Sequence, residues 1–177
     1  MNMKKCKVCK KPFTPKFNTL QPTCDVPCAI ELTKIQQEKE QKKENRAARK
    51  KLRESDRSWW MAEAQKYFNR WIRYRDRNEP CISCGETRDL KYDAGHYRSV
   101  GACPELRFDE RNVNKQCSFK CNQTRTGNVL EYRIGLVKKI GLEAVEELEG
   151  PHDPKKYTID DLREIRDKYK ALCKDRS

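Results

Sequence analysis

Residues 81–84 read CISC and residues 117–121 read CSFKC, and these two cysteine pairs decide the fold that we predict. Cys81 and Cys84 have the spacing of a zinc knuckle, and Cys117 and Cys121 lie one turn apart if the second stretch opens a helix. All four thiolates can then close one tetrahedral zinc site. Such a site is structural, because four protein ligands leave no open position for water or substrate. We expect it to clamp the base of a small unit made of a hairpin and a helix.

A second group of cysteines lies in residues 4–28, KKCKVCKKPFTPKFNTLQPTCDVPC, where CxxC and CxxxC flank a loop broken by prolines. A segment of about 25 residues buries almost no apolar surface, so a structural Zn²⁺ is the favoured source of its fold, and unpaired reduced cysteines are the alternative. The four ligands would be Cys6, Cys9, Cys24 and Cys28. Cys103 and Cys173 are interpreted as ordinary thiols.

The charge of the chain is concentrated at one end. The net charge is +13, and residues 1–78 carry 21 Lys and Arg against 9 Asp and Glu, whereas residues 128–177 carry 11 of each sign. This asymmetry favours a polyanionic partner, which for a cysteine-rich chain most often means nucleic acid. A solvated charged helix would explain part of it. The metal-type cysteine spacing, the lack of an apolar signal segment and the lack of a membrane span predict a reducing cytoplasm.

The chain divides into four predicted regions, which give an irregular, small α+β protein. They are a zinc knuckle at residues 1–28, a basic helical arm or linker at 29–57, a zinc-stabilised core led by an aromatic helix at 58–127, and a helical region at 128–177. The arm is rich in helix formers but too poor in apolar residues for a coiled-coil seam, so we expect an exposed helix or a partly ordered arm.

Three further helices are predicted from apolar periodicity. In SWWMAEAQKYFNRWIRYRDR, residues 58–77, one face carries an aromatic stripe that favours packing over base stacking, and the other face is basic. Residues 128–149 predict an amphipathic helix with Leu130, Ile134, Val137 and Ile140 on its apolar side, although Gly135 and Gly141 weaken it. Thr158 and Asp161 resemble an N-terminal cap for a last short helix.

Residues 90–116, LKYDAGHYRSVGACPELRFDERNVNKQ, lie between the two central cysteine pairs and predict two extended segments, around Gly95 and Gly101. A strand carrying Asp93 and His96 would face a helix carrying Asn122 and Arg125. Phosphodiester hydrolysis needs such groups: a base that activates water, a divalent cation at the leaving oxygen, and cations on the phosphate. Alone, a DxxH pattern is weak, because most Asp–His pairs are structural. His152, between two prolines, is interpreted as a loop residue.

Two motifs in this region resemble known nucleases. DAGH, residues 93–96, resembles the DRGH motif of nonspecific nucleases, and NVNKQCSFKCNQTR, residues 112–125, resembles the tail of HNH endonucleases, which share the ββα-metal fold. The resemblance implies that His96 is the general base and that Asn122 binds one Mg²⁺ or Mn²⁺. It implies that Asp93 is a second metal ligand or orients the site, and that Arg125 meets phosphate. Asn112 or Asn114 would brace the loop.

Over nearly its full length the chain is similar to the phage NinG family. The resemblance is carried by CKVCKKPFTP (6–15), the basic arm, DAGHYRSVGACPELRF (93–108), CNQTRTGN (121–128) and GLVKKIGLEAVEELEG (135–150). It implies a structure-selective endonuclease that cleaves branched DNA, such as Holliday junctions and D-loops, in phage recombination. Expected partners are branched DNA, phage or host recombination proteins, and a second copy of the chain, although no clear dimer seam is visible.

The residues themselves leave two hypotheses open. The first is the endonuclease, and the second is a zinc-dependent DNA-binding or recruiting module without chemistry, in which His96 only pairs with Asp93. The joint placement of acid, histidine and amide inside a cysteine frame favours the first. In both, contacts to the DNA backbone dominate affinity. The candidate DNA contacts are Lys50, Lys51, Arg70, Arg73, Arg98, Lys115 and Arg125.

Overall fold

The structure, a computed structural model, describes residues 3–18, 20–123 and 126–174. The chain forms two compact units, residues 1–54 and residues 55–177. Helices and short antiparallel strands occur in both, so the α+β class is confirmed. Among the described residues, no helix combines the length and the apolar character that a membrane span requires.

The first unit is a small hairpin followed by a long helix. Strands β1 (Lys4–Lys5) and β2 (Pro12–Phe13) pair antiparallel, and helix α1 runs over Val26–Ser55. Asp25 starts the helix, because its Oδ1 accepts a hydrogen bond of 2.8 Å from the backbone N–H of Cys28. No described residue of α1 is buried, which confirms the predicted exposed helix.

The second unit begins with α2 (Arg57–Arg75), and Asp56 caps it by accepting from the N–H groups of Ser58 and Trp59. The apolar stripe is confirmed as packing: one buried residue per turn faces the core, namely Trp60, Ala64, Phe68 and Ile72. This face packs on the last helix, α5 (Ile159–Lys174). The predicted cap of α5 is also confirmed, since Thr158 Oγ1 donates to Asp161 Oδ2 at 2.8 Å and accepts from the Asp161 N–H at 3.1 Å.

A two-stranded hairpin lies against α2. Strand β3 (Tyr92–His96) pairs antiparallel with β4 (Val113–Cys117), with Asp93 opposite Gln116 and His96 opposite Val113. The predicted second extended segment around Gly101 is wrong. Residues 99–103 fold into a turn in which the Ser99 carbonyl accepts from the N–H groups of Ala102 and Cys103, and a short 3₁₀ turn follows at Pro104–Leu106.

The helix predicted to carry Cys117 and Cys121 is a single wide turn of π-helix, Ser118–Gln123, and Cys117 instead ends β4. Two helices follow where one was predicted, α3 (Val129–Ile140) and α4 (Leu142–Glu149), because Gly141 has a φ of +87° that ends the first. The predicted apolar side of this segment is partly wrong. Val137 and Ile140 are half-buried and pack against the core as predicted, but Leu130 and Ile134 are exposed. The fully buried side chains are Tyr132 and Leu136.

Candidate functional site

The four central cysteines converge at the base of the hairpin. The Sγ atoms of Cys81, Cys84, Cys117 and Cys121 all lie within 4.8 Å of one another, with 4.0 Å between Cys81 and Cys121 and 3.7 Å between Cys84 and Cys117. Tetrahedral zinc with bonds of ~2.3 Å needs sulfur separations of ~3.8 Å, so the donor set fits Zn²⁺.

The backbone around this cluster has the form of a zinc knuckle. The Cys117 N–H donates to Cys81 Sγ at 3.3 Å, and the Gly85 N–H donates to the Cys81 carbonyl at 2.9 Å. Gly85 has a φ of +68°, which a residue with a Cβ adopts only at a cost. Burial raises the pKa of Cys121 to about 12, because a buried thiolate without a cation is poorly solvated. A bound cation would remove this penalty.

The N-terminal cysteines form a second cluster. Cys6, Cys9, Cys24 and Cys28 have Sγ atoms within 4.8 Å of one another, and the separations of 3.6 Å (Cys9–Cys24) and 3.7 Å (Cys24–Cys28) also fit tetrahedral zinc. Although burial raises the pKa of Cys6, hydrogen bonds from backbone N–H groups lower it to about 6. Each cluster could therefore hold one zinc ion.

Asp93 and Asn122 are brought together beside the central cluster. The Asp93 Oδ2 atom accepts from the Ser118 hydroxyl at 2.6 Å and from Asn122 Nδ2 at 3.2 Å. Gln123 Nε2 in turn donates to the Ser118 hydroxyl at 3.2 Å. Asn122 stands here because it directly follows Cys121, which the cysteine cluster fixes. A carboxylate, an amide and a hydroxyl thus meet where the hairpin joins the π-helical turn.

His96 has a different environment. Side chains alternate along a strand, so β3 directs Asp93 and His96 to opposite faces of the hairpin. The half-buried imidazole places Nε2 at 3.0 Å from the carbonyl oxygen of Arg107. Because a carbonyl only accepts, Nε2 must carry the hydrogen, and Nδ1 of the neutral ring keeps its lone pair. Burial lowers the pKa of His96 below its ordinary value, which favours this neutral form.

The residue directly before His96 is Gly95, and the neighbouring Gln116 side chain leaves no room there for an acidic side chain. A Cβ at this position would collide with the side-chain oxygen of Gln116, and the Gln116 Cβ would lie only 3.0 Å away. Gln116 is fully buried on β4, where its amide donates to Ser83 Oγ at 2.7 Å. The acidic group of this strand is Asp93, two residues earlier on the same face.

The two predicted loop braces are both buried. Asn112 Oδ1 accepts from the Arg98 N–H at 2.8 Å, and its Nδ2 donates to the carbonyls of Arg98 and Leu106 at 3.1 Å. Asn112 thereby connects two points, Arg98 and Leu106, of the loop that follows β3. Asn114 Nδ2 donates to the hydroxyl of Tyr132 at 3.2 Å and ties β4 to α3.

The predicted DNA contacts fall into three groups. Lys50, Lys51, Arg70 and Arg73 are exposed, and Arg98 is half-buried. The prediction that Lys115 contacts DNA is wrong, because its side chain is buried. Its Nζ donates to the carbonyls of Arg77 and Glu79 at 3.1 and 2.7 Å and lies over the ring of Tyr92, so the ammonium group is not presented to DNA. Arg125 lies outside the described residues.

Comparison with known proteins shows the family. The model of the family described as "Bacteriophage Lambda NinG protein" matches residues 1–177. The chain belongs to the NinG family. Protein ninG of Escherichia phage 933W is 41% identical over 188 residues, covering 97% of this chain and 92% of that relative. The ninG proteins of Escherichia phage lambda and Salmonella phage P22 are each 38% identical over 183 residues, covering 94% of this chain and 89% of theirs. No solved structure matches significantly.

The sequence of this NinG-family chain did not predict the buried charge cluster around Asp76. Asp76, just after α2, is 2% exposed and accepts from Arg75 at 2.8 and 2.7 Å, from Lys139 at 2.9 Å and from the Lys115 N–H at 3.1 Å. Burial raises the pKa of this carboxyl, but Arg75 and Lys139 outweigh burial and lower it. Asp76 thus links the end of α2 to both β4 and α3. An aspartate next to an arginine is a common sequence pattern, so the pair Arg75–Asp76 did not indicate a buried cluster.

Proposed function

We propose that this NinG-family chain is a metal-dependent endonuclease that cleaves branched DNA. The observation that carries the proposal is the meeting of Asp93 and Asn122 at the turn that the cysteine cluster closes. Carboxylate and amide oxygens are ligands that Mg²⁺ and Mn²⁺ accept, and Mg²⁺ is commonly held by one or two carboxylates together with substrate phosphate. A rotation of the Asn122 amide presents its oxygen beside Asp93, with the Ser118 hydroxyl as a neighbour.

A divalent cation bound there would stabilise negative charge on the leaving 3′-oxygen. In the proposed reaction, His96 accepts a proton from water at Nδ1, while the Arg107 carbonyl holds the ring through Nε2. The water attacks phosphorus in line with the leaving 3′-oxygen, so the products carry 5′-phosphate and 3′-hydroxyl ends. The cysteine clusters hold the frame and take no part in the chemistry.

The proposed position of the scissile phosphate is the open edge of strand β3. β3 pairs only with β4 in its sheet, so its other edge has no strand partner among the described residues. A phosphate at this edge can be approached by Asp93 from one face and by His96 from the other. The exposed basic face of α2, which includes Arg70 and Arg73, would contact the flanking DNA backbone.

The test uses a labelled synthetic four-way junction with Mg²⁺, with Mn²⁺ and without either cation. We expect His96→Ala to lower the cleavage rate by roughly 10²- to 10⁴-fold, the usual contribution of a general base, while binding in a gel-shift assay is unchanged. Asp93→Asn and Asn122→Ala should lower the rate and raise the concentration of cation needed.

His152 offers a matched control, because its Nε2 also contacts a backbone carbonyl, that of Leu148 at 3.2 Å. His152→Ala should cleave like the parent. If His96→Ala also cleaved like the parent, its role as base would be wrong. Cation-independent binding with no nicking of linear, flapped or four-way DNA would support the non-catalytic DNA-binding module instead.

A further inference from the structure

The N-terminal unit presents large apolar side chains to solvent. Phe17 and Leu20 are each 85% exposed and Val26 is 69% exposed, although residues of these types are normally buried. Together with Pro22, Ala29 and Leu32 they line a groove of about 690 Å³ between the cysteine loop and the first turns of α1. All the residues that line it belong to the first unit.

Polar contacts hold the loop in this outward conformation. Gln21 Oε1 accepts from the N–H groups of Lys16 and Phe17 at 2.8 and 3.3 Å, and its Nε2 donates to the Thr23 carbonyl at 2.8 Å. The backbone beside Phe17 is therefore anchored to the segment that carries Cys24. The hydrogen bonds of the cysteine loop therefore fix the backbone position from which the Phe17 ring projects into solvent.

The cysteine-rich segment that forms one side of the groove is basic in sequence, which favours an anionic occupant. Residues 3–28 contain six lysines and a single acidic residue, Asp25, and one Asp25 oxygen already caps α1. Lys16 lines the groove itself. An anionic ligand with a flat apolar part therefore suits the site, and this is the chemistry of a nucleotide, whose base stacks on an aromatic ring while its phosphate meets an ammonium group.

We propose that this groove binds an unpaired nucleotide of the DNA substrate, with the base stacked on Phe17 and the adjoining phosphate near Lys16. The inference rests on the proposed function in taking DNA as the substrate, and it assigns the N-terminal unit to the single-stranded segment of a branch. A base inside a duplex is already stacked on both sides, so this contact distinguishes unpaired from paired DNA.

The experiment measures binding of the full-length zinc-loaded protein to fluorescein-labelled dT20 and to a duplex of equal length, by anisotropy, without Mg²⁺ or Mn²⁺. Phe17→Ala should weaken dT20 binding by roughly 5- to 150-fold, the loss of one base–aromatic stack, and leave duplex binding unchanged. Phe17→Trp should restore it, whereas Phe17→Leu, apolar but not planar, should restore little. The matched control is Ile30→Ala, since Ile30 is 55% exposed in the same unit and does not line the groove.

Two results would overturn the proposal. One is dT20 binding by Phe17→Ala at the parent's affinity. The other is full restoration by Phe17→Leu together with competition by a polyglutamate peptide, which would indicate an acidic protein partner. The zinc content of each variant shows that the cysteine loop has folded. Because dT20 binding is measured without divalent cation and without cleavage, a failed nuclease proposal and a failed nucleotide site give different results.

Discussion

Substitution of Asp76 by asparagine tests whether the buried charge cluster holds the strand that leads to the candidate site. The change keeps the size of the side chain and removes its charge. The Asp76 side chain is 3% exposed, while its partners Arg75 and Lys139 are 24% and 31% exposed. Removal of one partner of a buried ion pair costs ~3–5 kcal/mol, and partial hydration of the two cations reduces this to about 2–4 kcal/mol. The melting temperature should fall by on the order of 10 °C.

Tryptophan fluorescence is the appropriate signal for this measurement. All three tryptophans lie in α2, so the signal reports unfolding of the second unit alone. Urea titrations of zinc-loaded protein should give the expected loss for Asp76→Asn, whereas Asp89→Asn, at an exposed position, should stay within about 0.5 kcal/mol of the parent.

A double variant sharpens the test. Asp76→Asn combined with Lys139→Met should be less destabilised than the sum of the single variants, because the lysine is no longer left without its carboxylate. A free energy of unfolding for Asp76→Asn within 0.5 kcal/mol of the parent would refute the reasoning. The cluster would then contribute no net stability, and β4 would owe its position to apolar packing and zinc.

Three further outcomes are expected. The parent should bind two zinc ions per chain by elemental analysis, and Cys121→Ser should bind one; retention of both would exclude Cys121 as a ligand. Gly95→Ala should destabilise the second unit by about 1–3 kcal/mol, because its Cβ meets Gln116, whereas Gly101→Ala, with open space around its Cβ, should have little effect. Since burial lowers the pKa of His96, the neutral base persists below pH 6.5, and the acid limb of the cleavage profile should lie below that value; a limb above it would contradict the assignment.

Local patterns in the sequence were enough for part of the fold. The spacing of the eight paired cysteines predicted both clusters, because two ligands with two or three residues between them can reach one ion whatever surrounds them. The one-per-turn stripe predicted the buried face of α2, and Thr158 with Asp161 predicted the start of α5. In each case the interacting groups are neighbours in the chain.

The second strand could not be predicted in this way. Residues 113–117, VNKQC, are all buried, yet three of them are polar and show no apolar alternation. Several of these polar groups bond to distant partners: Asn114 Nδ2 donates to the Tyr132 hydroxyl, and Gln116 Nε2 donates to Ser83 Oγ. Burial of Lys115 has the same cause, since the carbonyls that accept from its ammonium group lie 36 and 38 residues away.

The candidate site likewise has a part that the sequence predicts and a part that depends on the tertiary structure. The sequence by itself determined the candidate residues, because Asp93, His96 and Asn122 are recognisable beside their cysteines. Only the tertiary structure decided their arrangement, joining Asp93 to Asn122 and fixing His96 on the Arg107 carbonyl. The physical reason is that strand pairing and burial bring together groups 29 and 11 residues apart in the chain, and such contacts produce no periodic sequence pattern.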